Sequence, residues 1–359
     1  MRFDPLQPPP LLTANLPGIG GVIRQQPEDF EVEEIPAYEP SGQGEFLYLW
    51  IEKRDMGAEY FMRQVARRLN IRPGEVGAAG LKDRRAVTRQ WISVPASVAD
   101  NVNAVDGDGI RLLRTARHSN KLRPGHLRGN RFSILIRNVD PEAAARVGPL
   151  VEHLRAQGMP NFYGEQRFGK EGETARLGFE LLRGDDVSRR VRNPFLRKLA
   201  LSAAQSALFN HYLATRLNDQ LFRRVLPGDV MAKWPVGGLF VATDPVVEQD
   251  RFDRRETVHT GPIFGRKTFA AAQDAAEREA ACLADAGLSL SSFRGFGKLM
   301  QGTRRHNIAY MDDLQLQMVP EGARLTVTLP AGSYATVLLG EIIKGSQLPE
   351  DQESAEMAE

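Results

Sequence analysis

The sequence predicts an α+β fold: a mixed, largely antiparallel sheet with flanking helices, interrupted partway along by an inserted segment. Three observations predict it. Apolar residues recur with period two at 46–53, 132–136 and 325–329, but the regular strand–helix alternation of a parallel sheet is absent. From 158 the style changes to long helical runs separated by loops rich in Gly, Pro and Arg. The last strand-like segment then returns to the style of the first, and 359 residues leave room for two domains.

Taken in order, residues 1–20 are proline-rich and read as an irregular arm. In 46–53, Phe46, Tyr48 and Trp50 face one way and Leu47, Leu49 and Ile51 the other, so this strand is covered on both faces. A helix over 59–70 follows, with Phe61, Val65 and Leu69 on one stripe, and Pro73–Gly74 break it. Residues 88–94 are β-rich and end at Pro95; Phe132, Ile134 and Ile136 mark another strand. A helix is expected over 141–157, with Pro141 in its first turn and Gly158 just past its end. Two helices are expected in the insertion, 199–218 and 268–286, the second with Thr268 as N-cap and Gly287 as stop. Leu325, Val327 and Leu329 form the returning strand, and Pro330–Ala331–Gly332 leads into a helix over 333–344. The organisation expected is a discontinuous domain, 1–157 with 309–346, an insertion at 158–308, and an acidic disordered tail at 347–359.

Composition narrows the function. Hydrophobic residues are 42% and charged residues 26%, ordinary for a soluble globular chain with real cores. No apolar run approaches the ~18 residues a bilayer span needs, and the N-terminal residues lack a signal peptide's basic start and apolar stretch. One cysteine, Cys282, excludes an internal disulfide and a multi-cysteine zinc site, and the six histidines show no metal-binding spacing. No Walker A, G-x-G-x-x-G after a strand, or G-x-S-x-G elbow is present. These features set the expectation of a cytoplasmic protein with no membrane, metal or nucleotide cofactor. The formal charge is +2, but residues 350–359 hold five acids and no base; setting those five aside leaves +7 on the remainder. Between Arg111 and Arg131 there are seven Lys/Arg and no Asp or Glu. Such a stretch suits a polyanion, through counterion release, or is simply a solvated charged face.

Four segments carry candidate chemistry. In 80–90, Asp83 is flanked by Lys82, Arg84 and Arg85. Neighbouring cations favour its ionised form, which can act as nucleophile or base, and can also hold phosphates; a polar turn with a locally bonded Asp is the competing reading. In 121–132, Gly125 and Gly129 allow close backbone approach, Asn130 matches a base edge, and Phe132 is either a stacking surface or core. The run 160–169 interleaves aromatics with Arg and Gly, as an RNA contact or an interdomain hinge would. In 22–33, Phe30 and Val32 read as strand residues.

Together and in this order, P-E-D-F (27–30), A-G-L-K-D-R-R-A-V-T-R-Q (79–90), K-L-R-P-G-H-L-R-G-N-R-F (121–132), P-N-F-Y-G-E-Q-R-F-G (160–169), L-S-A-A-Q-S-A-L-F-N (201–210) and L-P-A-G-S-Y-A-T (329–336) resemble the TruD family of tRNA pseudouridine synthases. The resemblance runs from about 22 to 343. It implies a pseudouridine-synthase catalytic domain interrupted by an inserted α/β TRUD domain at 158–308. It also implies isomerisation of uridine 13 in the D arm of tRNA, with no cofactor. Separately from the resemblance, a monomer is expected. The family's essential aspartate falls on Asp83, whose carboxylate would act as catalytic nucleophile on the sugar or the base, or remove a sugar proton to give a glycal. Arg24, where many relatives have Lys, would pair with it. Phe30 would stack on or wedge against the target base, and Asn130 would hydrogen-bond uracil; Phe132 stays a candidate substrate contact on its residue type alone. Tyr334, where many relatives have Phe, would stack, and its hydroxyl would help remove the C5 proton. Lys82, Arg84, Arg85, Lys121, Arg123, Arg128 and Arg131 would meet RNA phosphates. Two other classes compete: a non-catalytic RNA-binding protein on the same fold, and a carboxylate enzyme cleaving another glycosidic bond, which normally needs two acids.

Overall fold

A computed structural model describes residues 3–185, 191 and 193–344; the tail expected at 347–359 lies outside them. The first part of the chain forms β1 (Phe30–Pro36), β2 (Phe46–Arg54), α1 (Ala58–Arg68), β3 (Gly77–Ala78), β4 (Val87–Pro95), β5 (Ile110–His118), β6 (Leu127–Ile136) and α2 (Ala143–Gln157). Then come β7 (Met159–Pro160), α3 (Glu173–Arg183), α4 (Pro194–Asn218), β8 (Val230–Lys233), β9 (Leu239–Val241), α5 (Pro245–Asp253), β10 (Thr257–Ile263), α6 (Gln273–Asp285), β11 (Thr303–His306) and β12 (Ile308–Ala309). The chain closes with β13 (Gln315–Val319), β14 (Gly322–Pro330) and α7 (Ala335–Ile343). No helix among the described residues is long and apolar enough to cross a membrane.

These elements divide into two compact units. A sheet unit holds Leu16–Arg155, Met311–Ala335 and 342–344; a helical unit holds 3–15, Ala156–Tyr310 and Thr336–Glu341. The sheet unit is an α+β structure built on one sheet in the order β13-β14-β6-β1-β4-β2-β5, with β3 beside β4. The β1–β4 pair is parallel and every other pair in it antiparallel, so the sheet is mixed and largely antiparallel, as expected. The two apolar faces of β2 enter different clusters. Leu47, Leu49 and Ile51 pack with Phe61 and Val65 of α1 and with Ile92 and Val94 of β4. On the other face Tyr48 packs with Trp91, flanked by Phe46 and Trp50. Each such side chain contributes roughly 1.5–3 kcal/mol on full burial. On β14 the alternation is complete: Ala323, Leu325, Val327 and Leu329 are buried and the residues between them less so.

Helix boundaries depart from the sequence reading where local hydrogen bonds overrule pattern. α2 starts at Ala143, leaving Pro141 in a turn closed by the Ala143 N–H donating to the Asp140 carbonyl at 2.9 Å. α4 starts earlier than 199, because the Asn193 side chain accepts from the Phe195 N–H at 2.8 Å and Pro194 occupies the first turn. α6 starts at Gln273, since the Thr268 hydroxyl is spent on the Ile263 and Gly265 carbonyls. α7 starts at Ala335 rather than 333. Helices α3 and α5 and the four-stranded sheet β11-β10-β8-β9 were not anticipated.

The helical unit encloses a polar network. Arg216 of α4 and Asp229, each only 1% exposed, form a two-pronged ion pair at 2.8 and 2.6 Å. Beside it, the His259 ring donates from Nε2 to the Phe222 carbonyl and accepts at Nδ1 from Asn307. Burial pushes the His259 ring down to about 3, with Arg216 adding to the push, so it stays neutral in the fold. Burial alone would raise the Asp229 carboxyl, but Arg216 holds it below the ordinary range.

Two outcomes are expected. Arg216→Met leaves a buried carboxylate uncompensated and should lower unfolding free energy in urea by about 3–5 kcal/mol; a loss under 1 kcal/mol would mean the pair stabilises nothing. The second concerns pH. Unfolded His259 takes a proton as pH falls through its ordinary ~6.5, whereas the folded ring waits until about 3. The unfolded state therefore binds more protons in that window, and stability falls by about 1.4 kcal/mol per pH unit below ~6.5. Stability against pH should be flatter between pH 6 and 4 for His259→Gln than for wild type; equal slopes would show that the buried ring is not held neutral.

Candidate active site

The site is built first from the turn that opens β1. Pro27–Asp29 make one tight helical turn, and the Asp29 carboxylate accepts the Gln26 N–H at 2.9 Å. Arg137, just past β6, grips that carboxylate with Nε at 3.0 Å and Nη2 at 2.7 Å. Burial would raise Asp29, but Arg137 and the Gln26 N–H hold it below the ordinary range. Val22 and Arg137 exchange both backbone hydrogen bonds, so residues 22–30 are pinned to the end of β6. Within this pinned segment Arg24 takes φ +58°, a left-handed backbone unusual for a residue with a Cβ. Its guanidinium lies over the Phe30 ring, 4.1 Å from the centroid, and its Nη2 stands 3.1 Å from Asp83 Oδ2. The Arg24 side chain is 3% exposed and that of Asp83 29%.

The loop bearing Asp83 is held from behind by two buried lysines. Lys53, at the end of β2 and wholly buried, donates to the carbonyls of Met56 (2.5 Å), Asp83 (2.7 Å) and Lys82 (3.3 Å). Lys82 turns inward, 2.9 Å from Glu34 Oε2, and donates to Asn130 Oδ1 at 2.7 Å. Burial pushes the Glu34 carboxyl up and Lys82 pulls it down, with burial prevailing. An ammonium only donates, so Asn130 must turn its oxygen to Lys82, which leaves its NH₂ for any other partner. Strand register sets the rest: Asn130 pairs with Glu34 on one side and with Leu329 on the other. The adjoining Gly129 is required by close approach, because a Cβ there would lie 2.2 Å from the Leu329 carbonyl oxygen.

The structure thus brings Arg24, Phe30, Asp83, Lys82, Asn130 and Phe132 together through direct contacts, with three corrections. Lys82 does not face phosphates: its ammonium is buried against Glu34 and Asn130. Phe30 does not present a stacking face, being 1% exposed beneath the Arg24 guanidinium. Phe132 is core, meeting Phe30 edge-on at 6.0 Å. Arg84, Arg85, Arg123, Arg128 and Arg131 are exposed, and half-buried Lys121 donates to the Gly74 carbonyl. Tyr334 is half-buried in the turn after β14 and immediately precedes α7. Glu34 and Lys53 were missed, although a signal existed. Each sits at period two from buried apolar neighbours, Phe30 and Val32 for the first and Leu49 and Ile51 for the second.

Comparison with known proteins places this arrangement. The family model for tRNA pseudouridine synthase D (TruD) matches residues 10–192 and 188–342. The chain is 45% identical over 348 residues to the tRNA pseudouridine synthase D of Anaeromyxobacter sp. (strain Fw109-5), covering 96% of this chain and 99% of that protein. It is 40% identical over 353 residues to a tRNA pseudouridine synthase D of Thermus thermophilus, covering 96% and 97%. A crystal structure of a putative tRNA pseudouridine synthase D from Methanosarcina mazei matches with a TM-score of 0.76 at 24% identity, over 94% of this chain and 96% of that one, and shows a shared fold. The protein is an RNA pseudouridine synthase, an isomerase. More particularly, it belongs to the TruD family of tRNA pseudouridine synthases.

If Glu34 and Lys82 act as one buried pair, Glu34→Leu should cost about 3–5 kcal/mol by stranding the ammonium. Joining it to Lys82→Met should then recover most of that loss. Losses that simply add in urea denaturation would sink the pairing.

Proposed function

We propose that this enzyme converts uridine 13 in the D arm of tRNA to pseudouridine, with Asp83 as the nucleophile. The Arg24–Asp83 ion pair carries the reading: it presents a carboxylate that is partly open to solvent and oriented by a guanidinium that is not. The names of the relatives support tRNA as the substrate, and uridine 13 follows from the motif resemblance. The target uridine leaves its stack at a cost of a few kcal/mol, offset by phosphate contacts from Arg84, Arg85, Arg123, Arg128 and Arg131. Asp83 attacks C1′ and the N1–C1′ bond breaks, with the electron pair leaving on uracil. The base turns, C5 bonds to C1′, and the carboxylate departs. C5 then loses its proton, assisted by the Tyr334 hydroxyl, while N1 ends protonated. The change is an isomerisation in which every atom is retained except for proton exchange, so the step calls for no redox partner or ATP. Arg24 keeps the carboxylate aimed and balances its returning charge. Asn130, its oxygen held by Lys82, donates its NH₂ to a uracil carbonyl. In this reading 158–308 is a domain inserted into the catalytic domain formed by 1–157 and 309–346.

The test is an unmodified tRNA transcript incubated with the protein alone, with pseudouridine mapped at single-nucleotide resolution. Product should appear at position 13 and vanish with Asp83→Asn. Arg24→Met should lower kcat by about 10²–10³, the usual cost of removing one group that stabilises charge in the transition state. Adding it to Asp83→Asn should make nothing worse. Product retained by Asp83→Asn would overturn the assignment of the nucleophile, and product only at another position would overturn the target.

A further inference from the structure

The helical unit has a feature suited to RNA. An open groove of about 670 Å³ lies between the start of α4 and the loop at 294–299, lined chiefly by Pro194, Phe195, Arg197, Lys198, Phe296 and Leu299. Phe195 is 61% exposed, a large apolar ring left in water. A single exposed apolar residue means little, but its surroundings here are one-sided in charge. Arg197, Lys198, Arg294 and Lys298 are all exposed, and none has an ion pair among the described residues. The sequence holds no Asp or Glu from 191 to 218 or from 287 to 310, so both walls of the groove come from stretches without acids. The Arg197 guanidinium stands 5.6 Å from the Phe296 ring centroid, which makes a cation-lined wall beside the exposed Phe195 face.

We propose that this groove binds an unstacked nucleotide of the tRNA substrate, with Phe195 stacking on its base and Arg197, Lys198 and Lys298 meeting the flanking phosphates. An aromatic platform beside cations is how proteins take single-stranded nucleotides without reading sequence, since every base has a π-face and every link a phosphate. An acidic protein segment would use the cations but give the open ring no planar partner. The inference rests on the reading that tRNA is the substrate, and its test is read by binding rather than by product.

Filter binding of an unmodified tRNA transcript across a salt series, with the full chain, provides that test. Phe195→Ala should weaken binding about tenfold with an unchanged salt slope, and Phe195→Trp should restore it. The triple variant Arg197→Gln, Lys198→Gln, Lys298→Gln should flatten the dependence of log K on log salt by about one for each lost contact. All these side chains are exposed, so thermal melting should match wild type. A photoreactive p-benzoylphenylalanine at 195 should crosslink to a defined tRNA nucleotide. Wild-type affinity and slope in both variants would overturn the proposal, as would be expected if the groove served an acidic protein. Pseudouridine formed by wild type alongside such unaffected binding would sink the groove alone. Weakened binding by both variants without pseudouridine at any position would leave the groove standing and sink the proposed function.

Discussion

The arrangement around Asp83 depends on charges buried behind it. For the proposed reaction the loop carrying Asp83 must be held firmly, yet its carboxylate must stay open. Lys53 helps by gripping the backbone of the loop: its ammonium takes the carbonyls of Met56, Lys82 and Asp83. Three carbonyls around one ammonium replace the water that burial removed, and without them a buried cation would be costly. Lys82 does similar service one residue earlier, anchored by Glu34 and Asn130. Asp83 therefore projects from two successive fixed points, and Arg24 orients it.

Arg24 shows why the choice of cation matters. Its guanidinium serves two partners, lying over the Phe30 ring and pairing through Nη2 with Asp83. A planar delocalised cation can do both at once; a compact ammonium can pair with the carboxylate but has no face to lay on the ring. The cost is a left-handed backbone at Arg24, held by the bonds between Val22 and Arg137 and by the Asp29–Arg137 pair. The P-E-D-F segment thus has a structural logic of its own: the proline and the aspartate shape the turn, and the phenylalanine is the surface on which the arginine rests.

Much of the sheet unit was legible in the chain because period-two spacing survives burial on one or both faces, as β2, β6 and β14 show. The mixed sheet with its helices was readable for the same reason. Helix starts were less so: α4 and α6 are set by where the Asn193 and Thr268 side chains place their hydrogen bonds, which composition does not reveal. Helix α3 was legible but missed: Ala175, Phe179 and Leu182 recur at helical spacing on its buried face, and Gly184, in a left-handed conformation, ends it.

The candidate site was legible in its identities and less so in its orientations. Asp83, Arg24 and Asn130 could be named from motifs, yet whether a lysine beside them faces RNA or the interior depends on a partner distant in sequence. Glu34 decides that for Lys82, and the pair forms only when β1 and the loop before β4 are both in place. Period two places Glu34 and Lys53 among buried apolar positions, and a charge at such a position demands a partner. A carboxylate and an ammonium, each on the apolar register of its own strand, mark a polar interior, and the loop that bears Asp83 is built over it.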